Sequence, residues 1–101
     1  MVFNNLCGTI EKLFAGNVEK ISMVKEKIKN EILFVEGMVT ATTYVIDKKR
    51  SYVRVCICDQ TECIEINLYP GVRGINPSLN ELKKIEKNMK LRARIMRDGK
   101  D

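Results

Sequence analysis

Residues 32–46, ILFVEGMVTATTYVI, and residues 52–69, YVRVCICDQTECIEINLY, decide the fold. The first stretch is a long β-branched run with Gly37 in its middle. The second is a pair of alternating segments, Tyr52 to Cys58 and Cys63 to Tyr69, around the turn Asp59-Gln60-Thr61-Glu62. Alternation at a period of two predicts strands buried on one face. It turns Val53, Val55 and Ile57 inward, with Ile64, Ile66 and Leu68 beside them. In the longer run Val35, Gly37, Val39 and Ala41 are expected to share a face. A glycine at its centre lets one strand coil sharply enough to serve two sheets. Further along, Asn76 is expected to cap a helix with Pro77 at its first position, running to Lys87 and burying Leu79, Leu82 and Ile85. Lys90 to Met96 alternates again and buries Leu91, Ala93 and Ile95.

Three strands, a helix and a fourth strand form the order of an oligonucleotide-binding (OB) barrel. The expected fold is therefore mainly β, a small barrel with helices, whose fifth strand is missing or incomplete. The chain ends on Asp98-Gly99-Lys100-Asp101, which reads as the turn into that strand; a fragment of a longer protein is the favoured reading, with closure of the barrel by the N-terminal segment or by a partner as the alternatives. Upstream, Phe3, Leu6, Cys7, Ile10, Leu13 and Phe14 recur at helical spacing and predict an amphipathic helix stopped by Gly16-Asn17. Ser22 is positioned to cap a second short helical turn bearing Ile21, Val24 and Ile28. The expected organisation is a helical segment over residues 1–30 and the barrel over residues 31–101. The stripe Phe3, Leu6, Ile10, Leu13 and Phe14 must be buried on the barrel, on a second copy or on a protein partner.

The net charge of +5 is unevenly distributed. Residues 1–82 carry ten basic and ten acidic side chains, whereas residues 83–101 carry eight basic and three acidic. The whole excess therefore falls on the last helix and strand. Such clustering is the footprint of a polyanion partner, or of a solvated face that maintains solubility. No run approaches the ~20 apolar residues of a membrane span, and no basic-then-apolar leader opens the chain. A cytoplasmic protein with four reduced cysteines is the expectation.

There is no histidine, which removes Ser-His and Cys-His nucleophile pairs and the commonest general base. Gly71-Val72-Arg73-Gly74 is too short for a phosphate-binding loop, and no carboxylate cluster resembles a two-metal site. The segment is not expected to be an enzyme or to need a cofactor. Cys56, Cys58 and Cys63 fall on one outer face, and three thiolates so close are weak candidates for zinc, with Cys7 as a fourth ligand. Their spacing is not a standard zinc pattern, and small half-buried strand residues account for them.

Binding of single strands by such barrels combines a cationic groove with aromatic faces on which bases stack. The stacking candidates are Tyr52 and Tyr69 on the hairpin's outer face and Tyr44 near the rim. The phosphate candidates are Lys48, Lys49 and Arg50 in the loop after the first long strand, Arg54 beside them, and Lys90, Arg92, Arg94 and Arg97 on the last strand. Six aromatics, no tryptophan, and Glu65 in the middle of that face all point to weak binding.

Several local strings sharpen the reading. Lys20-Ile21-Ser22, Phe34-Val35-Glu36-Gly37-Met38-Val39, Ile57-Cys58-Asp59-Gln60-Thr61-Glu62-Cys63-Ile64, Leu82-Lys83-Lys84 with Asn88-Met89, and Leu91-Arg92-Ala93-Arg94 occur in that order. From Glu19 to Arg97 the chain resembles the N-terminal OB domain of the PolC-type bacterial DNA polymerase III alpha chain. The departures are Cys56 and Cys58 where that family has Lys and Thr, and Ile95 where it tends to have glycine. The resemblance implies a non-catalytic module of a replicative polymerase that binds single-stranded or primer–template DNA. Two rival readings are a protein-docking barrel that works through its N-terminal helix and its open barrel edge, and a barrel that binds structured RNA or tRNA.

Overall fold

Alternation along the chain becomes an inside and an outside. The computed structural model describes residues 2–11, 17–29, 31–71 and 76–97. Its elements are β1 (Val2–Ile10), α1 (Ile21–Lys27), β2 (Leu33–Val45), β3 (Tyr52–Cys58), β4 (Cys63–Leu68), α2 (Leu79–Leu82) and β5 (Lys90–Arg97). The five strands close into a barrel in the order β1-β4-β3-β2-β5. Val53, Val55, Ile57, Ile64, Ile66, Leu68, Leu91, Ala93 and Ile95 all point into the core, as their alternation requires. Ile21, Val24 and Ile28, together with Leu82 and Ile85, complete the same core from the two helical segments.

The N-terminal segment corrects the sequence reading. Residues 2–10 form a strand, not an amphipathic helix, and that strand supplies the fifth member of the barrel. β1 lies parallel to β4, with Cys7 opposite Asn67, and antiparallel to β5, with Gly8 opposite Ile95. The fifth strand is thus present, at the start of the chain, and barrel closure calls for no missing segment. Leu6 is wholly buried, and Ile10 packs against the core. Phe3 lies in register with Ile64, whereas Leu13 and Phe14 fall outside the described residues. The physical cause of the misreading is Gly8. A period-two strand shows itself by apolar side chains at 6, 8 and 10, and the middle one has none. A Cβ at Gly8 would meet the Arg94 carbonyl oxygen and Ile66 Cγ2 at 3.0 Å, so the β5 backbone and Ile66 would have to give way to a side chain there.

Gly37 has the role expected of it. Leu33–Met38 pairs with β5 and Met38–Val45 pairs with β3, so β2 passes from one partner to the other at this point. A Cβ on Gly37 would lie 2.8 Å from the Cys58 carbonyl oxygen. A bulge between Val39 and Ala41 then shifts the register by one residue. Ala41 comes to lie opposite Cys56 on the outer face, which corrects its assignment to the face of Val35, Gly37 and Val39.

Asn76 is not a helix cap. Ser78 precedes the single turn Leu79–Leu82, and the helix expected to reach Lys87 ends five residues earlier. The Asn76 side chain is buried and acts as a substitute strand. Its Oδ1 accepts from the Ile10 amide at 2.9 Å, and its Nδ2 donates to the carbonyls of Gly8 and Tyr69 at 3.0 Å. β4 has ended at Leu68, so this flank of β1 would otherwise leave buried backbone groups unpaired.

α1 is likewise capped from a distance. Its own Lys20 makes no side-chain cap bond. Instead Asp59 Oδ2 accepts from the Ile21 amide at 2.8 Å and Thr61 Oγ1 accepts from the Ser22 amide at 3.0 Å. The other Asp59 oxygen organises its own turn, accepting from the amides of Thr61 and Glu62. Burial pushes the Asp59 carboxyl up, but the bonds from Ile21, Thr61 and Glu62 outweigh it and hold the group below the usual carboxylate range. Because its folded value is depressed, the stability it contributes is complete above about pH 4, its unfolded value, and is lost as pH falls through the folded one.

Two outcomes follow from this architecture. Leu6→Ala is expected to cost about 2–5 kcal/mol in denaturant unfolding, since Leu6 is core and not the face of a docking helix. Asp59→Ala is expected to cost about 0.5–2 kcal/mol at pH 7 and to flatten the acid limb of a stability-versus-pH curve. An unchanged acid limb would show that the cap bonds contribute nothing.

Candidate functional site

The outer faces of β3 and β4 gather the most organised polar cluster among the described residues. Arg54 and Asn67 are cross-strand partners, and Tyr52 and Tyr69 flank them at the same end of the ladder. The two rings lie 4.8 Å apart between centroids at an interplanar angle of 45°. Arg54 Nε donates to Asn67 Oδ1 at 3.1 Å, and its Nη2 donates to the Tyr52 hydroxyl at 3.2 Å. Arg50 reaches in from the β2–β3 loop. Its guanidinium carbon lies 4.9 Å from the Tyr69 ring centroid, and its Nη2 donates to the Pro70 carbonyl at 3.4 Å. Two cations and two half-buried rings thus hold one another in a fixed geometry, with donors of both arginines left over.

The chemistry of this patch is that of a recognition surface. Tyrosine rings offer flat faces of large area at little entropic cost, and planar guanidinium groups offer paired donors to phosphate or carboxylate. Glu65, opposite Cys56 on the same face, sets a negative boundary two residues from Arg54. Asn67, which orients Arg54, is a participant that sequence reasoning left aside. Its position opposite Arg54 follows from the hairpin turn once Cys58 is paired with Cys63.

Tyr44 and the cations of β5 do not join this patch. Tyr44 lies opposite Val53, and directly opposed residues share a face. The bulge at Val39/Ala41 therefore puts Tyr44 on the opposite side of the sheet from Tyr52. There its exposed ring is covered by Lys83, whose Nζ is 4.3 Å from the centroid. Lys48 and Lys49 are exposed in the loop, where the Lys49 amide bonds to Asp47 Oδ1 at 3.2 Å.

β5 is separated from β3 by β2 and from β4 by β1, so its arginines face another side of the barrel. Glu36 stands opposite Arg92 and takes both of its near cations. Arg92 Nε donates to Oε2 at 2.7 Å, and Lys90 Nζ lies 3.4 Å from Oε1. The bond from Arg92 is the main reason that the Glu36 carboxyl sits below the usual carboxylate range; burial opposes it, and the charges of Arg92 and Lys90 reinforce it. Arg94 lies between Phe34 and Thr9 in register, with its Nε buried, and Arg97 is exposed opposite Leu6. The basic excess that the sequence assigns to this strand is therefore partly neutralised by a carboxylate 56 residues away.

The cysteines are also rearranged. Cys58 and Cys63 face each other across the hairpin with Cα atoms 4.0 Å apart and are joined by a disulfide. This corrects the expectation of four reduced cysteines and takes two sulfurs from the zinc candidate Cys56, Cys58 and Cys63. Cys7 and Cys56 lie outside this disulfide. Among the described residues no group of three His, Cys, Asp or Glu side chains is arranged to hold a metal, and no helix is long and apolar enough to cross a membrane.

No protein-family model, curated protein or solved structure matches the chain. Glu36→Gln is expected to release Lys90 and Arg92 and to move elution from a polyanionic heparin column to higher salt. Unchanged retention would show that this side of the barrel does not meet polyanions.

Proposed function

We propose that this protein is an OB-like barrel that binds single-stranded nucleic acid, DNA in the first instance, across the outer face of β3 and β4. The observation that carries the reading is the Tyr52–Tyr69 pair with Arg50 and Arg54 laced into it. Stacking faces beside cations are what a flexible polyanion with exposed bases requires. The strand order supports it. β2, β3, β4, α2 and β5 follow the first four strands and helix of the OB order, and β1 stands between β4 and β5, where that order has its last strand. The barrel is then a circular permutation of the OB order.

In this reading Tyr52 and Tyr69 each stack a base, and Arg50, Arg54, Lys48 and Lys49 follow the phosphates. Tyr44 and the β5 arginines lie off the path. The resemblance of residues 19–97 to the polymerase module favours DNA over RNA and a role as a non-catalytic part of a replication protein. Docking through an N-terminal helix loses its basis, because that segment is a barrel strand.

The test is a fluorescence-anisotropy titration of labelled single-stranded DNA, with duplex DNA and RNA of matched sequence as competitors. Binding is expected in the micromolar range, with a log–log salt slope of about −3 if roughly four phosphates are neutralised. Tyr52→Ala and Tyr69→Ala are each expected to weaken it by about 1–3 kcal/mol, and Arg97→Glu to change it little. Absence of binding at low salt, or full binding by both tyrosine variants, would overturn the proposal. Preference for RNA would redirect it.

A further inference from the structure

Beyond Val39 the edge of β2 that faced β5 has no backbone partner among the described residues. The last contacts on that side are the Val39 amide to the Met89 carbonyl at 2.8 Å and the Asn88 amide to the Val39 carbonyl at 2.8 Å. From Ala41 to Val45 the strand pairs with β3 alone among the described residues. Thr40 to Tyr44 are exposed throughout, Tyr44 at 42% and Ile46 at 78%. Natural sheets protect such an edge with charges, proline or covering segments. The segment itself, Thr40-Ala41-Thr42-Thr43-Tyr44-Val45-Ile46, has neither a charge nor a proline, and the one cation against it among the described residues is Lys83 over the ring of Tyr44. Its β-branched composition favours further strand pairing.

We infer that this edge is a self-association site at which β2 of a second copy adds antiparallel, about a two-fold axis through Thr43. The occupant follows from complementarity in that register. Thr43 faces its own counterpart, Ala41 faces Val45, and Thr42 faces Tyr44. Each small or hydroxylated residue meets a larger one, and like residues meet only on the axis. Opposed pairs of this kind stabilise antiparallel ladders. Past the bulge at Thr40, Asp47 of each copy comes near the turn Lys87-Asn88-Met89 that holds Val39 of the other. Opposite charges therefore meet at both ends of the ladder, as a closed two-fold interface demands. The pairing joins the β3–β2 sheets of two copies and aligns two Tyr52–Tyr69 patches on one continuous outer surface. The inference is independent of nucleic-acid binding and survives if that reading fails.

Sedimentation velocity over a concentration series, without nucleic acid, tests it. A reversible dimer is expected, of the micromolar-to-millimolar strength typical of interfaces below about 1,200 Å². Thr43→Lys puts two like charges on the axis and is expected to weaken the dimer at least tenfold while the circular dichroism spectrum is retained. Asp47→Lys should weaken it as well, and Asp47→Lys combined with Lys87→Asp should restore it. A protein that stays monomeric throughout, or a dimer indifferent to Thr43→Lys, would overturn the inference. Failure of the charge swap to restore the dimer would overturn the register. Capture of a foreign extended peptide by this edge in a monomeric protein would likewise reject self-pairing.

Discussion

Barrel closure rests on one strand that satisfies two edges at once. β4 and β5 each present a row of backbone donors and acceptors, and β1 pairs with the first in parallel and with the second antiparallel. Without it both rows would face water beside a core that contains Ile64, Ile66, Ala93 and Ile95. The cost of orphaned backbone groups next to buried apolar surface is what makes the two ladders act together. The interior then follows, because Leu6 fills it from β1 and Gly8 leaves room for Ile66 and Ile95.

Closure also explains the polar side chains that look out of place. Asn76 is buried because its amide can imitate a peptide group where β4 has run out beside Gly8 and Ile10. Asp59 is fixed because one carboxylate serves its own turn and the start of α1, 38 residues away. Both residues are conventional turn or cap formers, and local rules alone would keep each within its own segment. In the folded chain each has been recruited to a gap between elements. The disulfide of Cys58 and Cys63 closes the same hairpin whose turn caps α1, so the capping groups are held at a covalently fastened end.

The electrostatic lesson is that number and placement differ. Eight basic residues crowd into residues 83–101, yet Glu36 takes Arg92 and Lys90, and Lys83 lies on the ring of Tyr44. The candidate site instead uses two arginines from the electrically neutral part of the chain, because Arg50 and Arg54 are the ones among the described residues that stand beside a pair of rings. Cation and aromatic together make a surface suited to stacking. A charge count detects only the cation.

What the sequence by itself determined is the inward and outward side of each regular strand, and with it the placement of Tyr52, Arg54 and Tyr69 on an outer face. Strand side chains repeat every two residues, and a buried face must be apolar at every other position, so this property is local and can be read directly. The tertiary structure alone decided three things. Residues 2–10 became a strand, because their spacing suits a helix when Gly8 carries no hydrophobic mark and only the free edges of β4 and β5 select the extended form. Tyr44 left the tyrosine patch, because a single-residue bulge reverses every side chain beyond it. Glu36 met Arg92 and Cys58 met Cys63, because register is set by the turns and pairings of the whole barrel and not by the composition of any one strand.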